Sequence, residues 1–408
     1  MPLALLALAI GAFGIGTTEF VTSGLLPEVA EEFGVSVPTA GYLTTGYALG
    51  VVVGAPILAI VGSRVSRKKM LISLMGLFTA GNALSAAAPV FGVMLAGRIV
   101  ASLAHGAFFG IGAIVAAGLV APRKKAAAIS MMFTGLTVSN IVGVPFGTML
   151  GQGAGWRVTF GVIAGLGLLA MLGIAVLVPR LPMPERTRVS GEMAAFRNPQ
   201  VLLAMAMTVL GFGGVFTLST YMAPLMTDVV GFAPSSVTWV LVLFGAGMFA
   251  GNLVGGRFAD RALMPMLLTA LTGLTAALAL MPVATHSKIA TAIAVPLIGA
   301  FGFATVPPLQ KRVLDQTSDA PTLASAVNIG AFNLGNAIAA WLGGLVISAG
   351  LGYRVPNLVG AAMAAAALVL ALVSAGLERR TGGAAPRGGR VAARSAAPAG
   401  RDAVAAGR

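Results

Sequence analysis

Glu19 and Arg98 are charges that fall inside long apolar runs of the chain, and a charge in such a run needs a reason. No charged side chain precedes Glu19, which lies 16 residues into the run that begins near Leu3, or about 24 Å along a helix axis. Arg98 lies six residues into a run that starts near Gly92, about 9 Å in from the opposite side, so the two charges reach similar depth. A buried ion is costly unless it is paired, so an ion pair or a shared aqueous cavity is the cheapest arrangement. Burial and the arginine act on the carboxyl in opposite senses, which ties its proton affinity to whatever else occupies the cavity. A carboxylate that releases its proton when a substrate binds, and regains it on the other side, is what a proton-coupled carrier requires. The alternatives are a permanent ion pair or a solvated residue at a mouth.

Other side chains have the right types to line such a cavity. Thr18 adjoins Glu19, and His105 lies seven residues after Arg98 on the same helix face, with Ser102 between them. His105 either lines the cavity or packs as a neutral side chain. Asn140, Asn328, Asn333 and Asn336 offer hydrogen bonds to a polar substrate or to neighbouring helices. Tyr47, Phe108, Phe109, Phe212, Phe216 and Tyr221 supply aromatic walls or core. Gly143, Pro145 and Gly147 bend or seal one run, because proline removes a backbone hydrogen bond and glycine permits close approach. Glu28, Glu31 and Glu32 have no basic neighbour in sequence and read as a solvated face of the first outer loop.

Enzyme chemistry finds no convergent set here. His105 and His286 are 181 positions apart, cysteine is absent, and neither HExxH nor a phosphate-binding GxxxxGK[ST] loop occurs. No metal or cofactor is expected.

The elements that must hold these residues are set by composition. With 57% hydrophobic and 9% charged residues and a mean hydropathy of +0.94, the 408-residue chain has too little polar surface for a soluble globule. The N-terminal run lacks the basic start of a signal peptide and continues to about Leu26, so it reads as a first span. Apolar runs near 3–26, 41–62, 70–88, 92–119, 126–150, 157–178, 200–223, 237–258, 266–284, 289–307, 322–348 and 357–377 predict twelve helices, each long enough to cross a bilayer.

Alternating the connecting segments between two sides places 22 of the 26 basic residues on one side, including Arg67, Lys68, Lys69, Arg123 to Lys125, Arg257, Arg261, Lys311, Arg312 and the tail arginines. The positive-inside rule then predicts both termini in the cytoplasm. The net charge of +14 is thereby a topology signal and not a sign of nucleic-acid binding. Residues 379–408, rich in Arg, Gly, Ala and Pro, read as a disordered basic tail.

The first six runs also repeat in the last six at one gapless offset of 197. Gly14/Gly211, Gly16/Gly213, Pro27/Pro224, Gly34/Gly231, Gly50/Gly247, Gly54/Gly251, Arg64/Arg261, Gly155/Gly352 and Arg157/Arg354 are the matched pairs. An even number of helices per copy makes the copies parallel, related by an axis along the membrane normal, with a substrate site between them near the midplane. The predicted organisation is a six-helix bundle over 1–178, a cytoplasmic linker over 179–199, a second bundle over 200–378 and the tail.

These residues resemble the major facilitator superfamily, and within it the twelve-span drug:proton antiporters, with the chloramphenicol-resistance exporters and arabinose-efflux permeases of bacteria as the nearest likeness. The resemblance is carried by GTTEFVTSGLLPEVA at 16–30, SRVSRKKML at 63–71, RIVASLAHGAFFGIG at 98–112 and GVPFGTMLGQGAGWRVTF at 143–160. It implies an all-α polytopic membrane protein with twelve transmembrane helices in two six-helix pseudo-symmetric halves, lying in the bacterial inner membrane. It also implies proton-coupled export of a small, moderately apolar drug by a monomer, with sugar or metabolite transport as the alternative. The substrate and protons would be its partners, with Glu19 and Arg98 coupling them. The family's loop after the second span usually reads Asp-Arg-x-Gly-Arg-Arg, whereas Ser63 stands here in place of the acid before Arg64 and Arg67. The repeat position, Asp260-Arg261, keeps acid and base. Val144 precedes Pro145 where the family's antiporter motif has glycine.

Overall fold

The apolar runs fold as twelve long helices, and the computed structural model describes residues 3–62, 65–121, 125–179, 198–259, 261–317 and 321–380. The first six are α1 (Leu3–Phe33), α2 (Tyr42–Gly62), α3 (Arg67–Ala86), α4 (Phe91–Gly118), α5 and α6 (Trp156–Leu177). α5 is a composite of Lys125–Val138, a π-helical turn over Ser139–Gly143 and Val144–Ala154. The last six are α7 (Pro199–Thr220), α8 (Val237–Ala259), α9 (Leu263–Ala284), α10 (Lys288–Ala304), α11 (Pro321–Ser348) and α12 (Val355–Arg380). Short turns over Met222–Pro224 and Leu225–Val230 prolong α7, and Val306–Gln316 prolongs α10. No strand occurs among the described residues.

Eleven of the helices are long and apolar enough to cross a membrane by length and composition. The twelfth, α3, falls short of that measure because Arg67, Lys68 and Lys69 occupy its first turn and Asn82 and Ser85 lie on its buried face. Its position among α4 and α6 nevertheless makes it part of the bundle.

Helix packing repeats with the sequence. In the first six, α2 and α3 pack on α4, α3 on α6, and α1 on α5 and α6; in the last six, α8 and α9 pack on α10, α9 on α12, and α7 on α11 and α12. The two sets join along α2–α11 and α5–α8, which are themselves equivalent under the repeat. The matched glycines explain part of this. A Cβ on Gly54 would meet the Leu103 Cα at 2.7 Å, and one on Gly251 would meet the backbone of Ala300, the repeat equivalent of Leu103. Gly155 (φ 92°) and Gly352 (φ 77°) hold the positive φ that lets the chain turn between two helices at both copies.

The helix ends differ from the sequence expectation where proline is concerned. α1 does not stop near Leu26 but runs through Pro27 to Phe33, so Glu19 lies near the middle of the helix. Glu28, Glu31 and Glu32 are thus helical rather than in a loop, and Glu32 has a basic neighbour after all. Arg157 donates to its Oε1, and the Trp156 indole donates to its Oε2. Arg312, expected in a connecting segment, is buried and donates to Ser374 at 2.6 Å.

Below, the base is the end of the bundle where α1 begins and the crown is the opposite end.

Candidate functional site

α1, α2 and α4 bring Glu19, Tyr47, Arg98 and His105 together. Arg98, with no exposure, does not form an ion pair with Glu19 within 4 Å. Its Nη1 donates to the Thr18 carbonyl at 2.7 Å and to the Thr18 hydroxyl at 2.8 Å, and its guanidinium carbon lies 4.4 Å from the centre of the Tyr47 ring. The Thr18 hydroxyl in turn donates to Asn82 Oδ1 at 2.6 Å, and Asn82 Nδ2 donates to the Phe78 carbonyl at 2.9 Å. A guanidinium with two donors on one residue and an aromatic face beneath it is held in a fixed place.

Glu19 instead faces His105, with Oε2 4.0 Å from Nδ1. The Tyr47 hydroxyl approaches the same nitrogen at 3.2 Å. Glu19 and His105 keep 11% and 7% of their side-chain exposure whereas Arg98 keeps none, so carboxyl and imidazole border accessible space while the guanidinium sits behind them. Nε and Nη2 of Arg98 are buried and have no hydrogen-bond partner, which leaves donors in reserve within the cluster. The arrangement offers a carboxyl that can be neutral, or charged opposite a cation, without any change of fold.

The remaining sequence candidates separate. Ser102 bonds back to the Ile99 carbonyl at 2.7 Å and lies against Gly50. Phe108 turns into the core of the first six helices, over Gly11. Asn140 bonds the Leu136 carbonyl at 3.1 Å, and its own backbone abuts Gly245 in the α5–α8 seam. Gly143 closes the π-helical turn, Pro145 opens the next helical segment, and Gly143 and Gly147 pack on Thr17 and Val21 of α1. Pro145 therefore lies inside a continuous composite helix, and the span does not end at it.

Across the seam, Phe216 lies 5.3 Å from Phe20, ring to ring, in a cluster with Phe212, Phe303 and Phe332. Tyr221 sits at the crown, donating to the Ala340 carbonyl at 2.8 Å and packing on Gly41 and Gly344. Asn333 and Asn336 are buried on α11 with their Oδ1 atoms unbonded, one and two turns beyond Ile329, which packs on Tyr47, Val51 and Ala55. Arg67 is half-buried in the first turn of α3, and Arg261 is exposed just beyond α8. Ser63, Arg64 and Asp260 lie outside the described residues, as do most of the 179–199 segment and the tail beyond Arg380.

Asn82 is the member of the site that sequence reading passed over. Its signal was present, since it is the lone amide in the run 70–88, but nothing local indicates a partner 64 positions away. The repeat sharpens the picture. Thr18, Glu19, Tyr47, Asn82, Arg98 and His105 correspond, 197 positions on, to Val215, Phe216, Phe244, Ala279, Val295 and Gly302. The polar cluster belongs to one copy alone, and the other presents apolar groups at the same places.

Comparison with known proteins agrees with this architecture. Residues 8–328 and 204–404 each match the Major Facilitator Superfamily. The chain is 48% identical over 377 residues to the inner membrane transport protein YdhP of Escherichia coli K12, covering 92% of this chain and 97% of that protein. It is 36% identical over 363 residues to the chloramphenicol resistance protein of Streptomyces lividans, covering 88% and 91%. In fold it matches the crystal structure of a bacterial homolog to the human lysosomal transporter Spinster, in an inward-facing and unoccupied conformation, with a TM-score of 0.65 at 18% identity over 93% of this chain and 96% of that one. A bundle of two repeated helix sets with a polar cluster buried in the first, and this breadth of likeness, make the chain a transport protein of the membrane rather than an enzyme, and it belongs to the major facilitator superfamily.

Proposed function

We propose that the protein exports a small amphipathic, drug-like molecule from the cytoplasm in exchange for protons, by alternating access between two six-helix bundles spanning 1–178 and 200–378. The observation that carries this reading is Glu19: a carboxyl in the middle of a spanning helix, bordering accessible space, with no bonded counter-charge. Arg98 gives its Nη1 hydrogens to Thr18, and no salt bridge joins it to the acid. On this reading the termini and the 179–199 segment are cytoplasmic, and Glu19 takes its proton from one side and yields it to the other as substrate binds. The phenylalanine cluster opposite supports an apolar body on the substrate, and the likeness to a chloramphenicol resistance protein supports the class.

Asn333 and Asn336 favour a second reading, a polar metabolite, because each holds a buried unbonded acceptor on α11, a helix that meets α2 of the other set. One assay separates the two. Acidified inside-out vesicles containing the protein are given chloramphenicol, then a panel of sugars, and proton release is followed with and without Glu19→Gln. Release on chloramphenicol that disappears in the variant is the expected result. Release driven by sugars alone would move the assignment to metabolite transport, and release that survives the substitution would remove Glu19 from the coupling.

A further inference from the structure

α8, α9 and α10 leave a groove of about 460 Å³ on the outer surface of the last six helices, lined by none of the residues of the polar cluster. Ala250, Val254 and Phe258 form one wall, Ala262 its lower end, and Met266 and Phe301 the other side. The repeat shows why space opens here. The counterparts of Ala250, Ala262 and Ala300 are Val53, Val65 and Leu103, so three side chains are cut back to methyl groups. The larger Phe301 does not refill the gap, because its ring lies on Gly273 of α9.

Two cations neighbour the groove's lining residues Phe258 and Ala262 in sequence. Ala250, Val254 and Phe258 recur every fourth residue, and Arg257 and Arg261 continue that stripe at the base end of α8. The backbone N–H of Arg261 bonds the Phe258 carbonyl at 3.1 Å, which keeps it against the helix end. Both arginines are exposed, and neither forms a salt bridge among the described residues. The distance along α8 from Ala250 to Arg261 is about 16 Å at helical rise, so the trough begins within the hydrocarbon and ends at headgroup level.

We infer that this groove binds one anionic phospholipid, with an acyl chain along α8 and the phosphate held by Arg257 and Arg261. An apolar trough on a membrane-facing surface is filled by lipid in any case. The paired guanidinium groups are what make the site selective, because their planar forks match phosphate oxygens and they carry the complementary charge. The inference does not depend on what the protein transports.

The test uses the full-length protein, delipidated in detergent and titrated with phosphatidylglycerol or with phosphatidylcholine of the same acyl chains, bound lipid being counted by native mass spectrometry. One tightly held phosphatidylglycerol is expected, at an affinity at least tenfold above that for phosphatidylcholine. Arg257→Gln with Arg261→Gln should remove that preference. Ala250→Val with Ala262→Val, which restores the residues of the other copy, should weaken binding of both lipids. Equal affinity for the two lipids, or a preference unchanged in the arginine variant, overturns the proposal. Displacement of the lipid by millimolar glycerol 3-phosphate overturns it too, since that would make the site one for free phosphate esters.

Discussion

Replacing Thr18 by valine tests whether the site is held as a unit. The substitution keeps the shape of the side chain but removes the hydroxyl that accepts from Arg98 at 2.8 Å and donates to Asn82 at 2.6 Å. A hydrogen bond to a charged group contributes about 1.5–3 kcal/mol, but Arg98 keeps its bond to the Thr18 carbonyl at 2.7 Å, so the low end applies. Asn82 is left with an unbonded Oδ1 in a site without exposure, which costs about 1–3 kcal/mol in the general case. Interhelical hydrogen bonds in membranes average only about 0.6 kcal/mol, with a maximum of about 1.7. Together these place the loss near 2 kcal/mol. Asn82→Leu should cost a similar amount, and since both changes dismantle one network, the double variant should cost about 1 kcal/mol less than their sum. Unfolding of the purified protein in mixed detergent, followed by tryptophan fluorescence, measures all four species. Losses that simply add would show that Thr18, Asn82 and Arg98 are independent residues that happen to be adjacent, and the account of how Arg98 is held would be wrong.

Two further outcomes follow from the packing. Gly54→Val should sharply reduce the yield of monodisperse protein, because the Leu103 backbone cannot yield and overpacking costs about 1–3 kcal/mol. Gly110→Ala, whose Cβ would meet nothing within 4 Å, should be neutral or slightly stabilising, and equal yields of the two would refute the close-packing argument. Tyr221→Phe removes the bond to the Ala340 carbonyl, both ends of which lie in the last six helices, and should lower the stability of the unfolding transition by about 0.5–1.5 kcal/mol. The chain contains no cysteine, so Ser219→Cys, placed beside Ser23 across the seam, reports crown opening without background. Maleimide labelling should be unchanged in the Tyr221→Phe protein, whose ring still packs on Gly41 across the seam, and a severalfold faster rate would mean that the hydroxyl helps to hold the crown closed.

The sequence carried the twelve helices and the repeat because both are written at short range. Apolar runs of about 20 residues leave no other way to satisfy backbone groups in lipid, and Gly34, Gly155 and their partners recur because both copies turn at the same places with positive φ. The end of α1 was less legible, since Pro27 suggests a stop but forfeits only one backbone donor within a helix already packed on α5 and α6. The polar cluster was half legible. Glu19 and Arg98 stand out by charge alone, yet the partners they take, His105 for one and Thr18 with Asn82 for the other, are set by how α1, α3 and α4 rotate against each other. That rotation is fixed by many small contacts, such as Gly97 against Gly81, which no local pattern reveals.

The confinement of the polar cluster to one copy has a consequence for how the gene can change. The two copies share a contact pattern, so a substitution that crowds a helix crossing should be equally harmful in either. At Val215, Phe216, Phe244, Ala279 and Val295, however, an exchange among apolar residues of similar volume loses no hydrogen bond or charge, whereas Thr18, Glu19, Tyr47, Asn82 and Arg98 allow no such exchange. A complete substitution scan of the two copies would therefore coincide at the glycines and diverge at these positions. On the proposed function, drift in the second copy would alter which molecules fit while leaving the polar cluster of the first intact, giving the transporter a route to new substrates in single mutational steps.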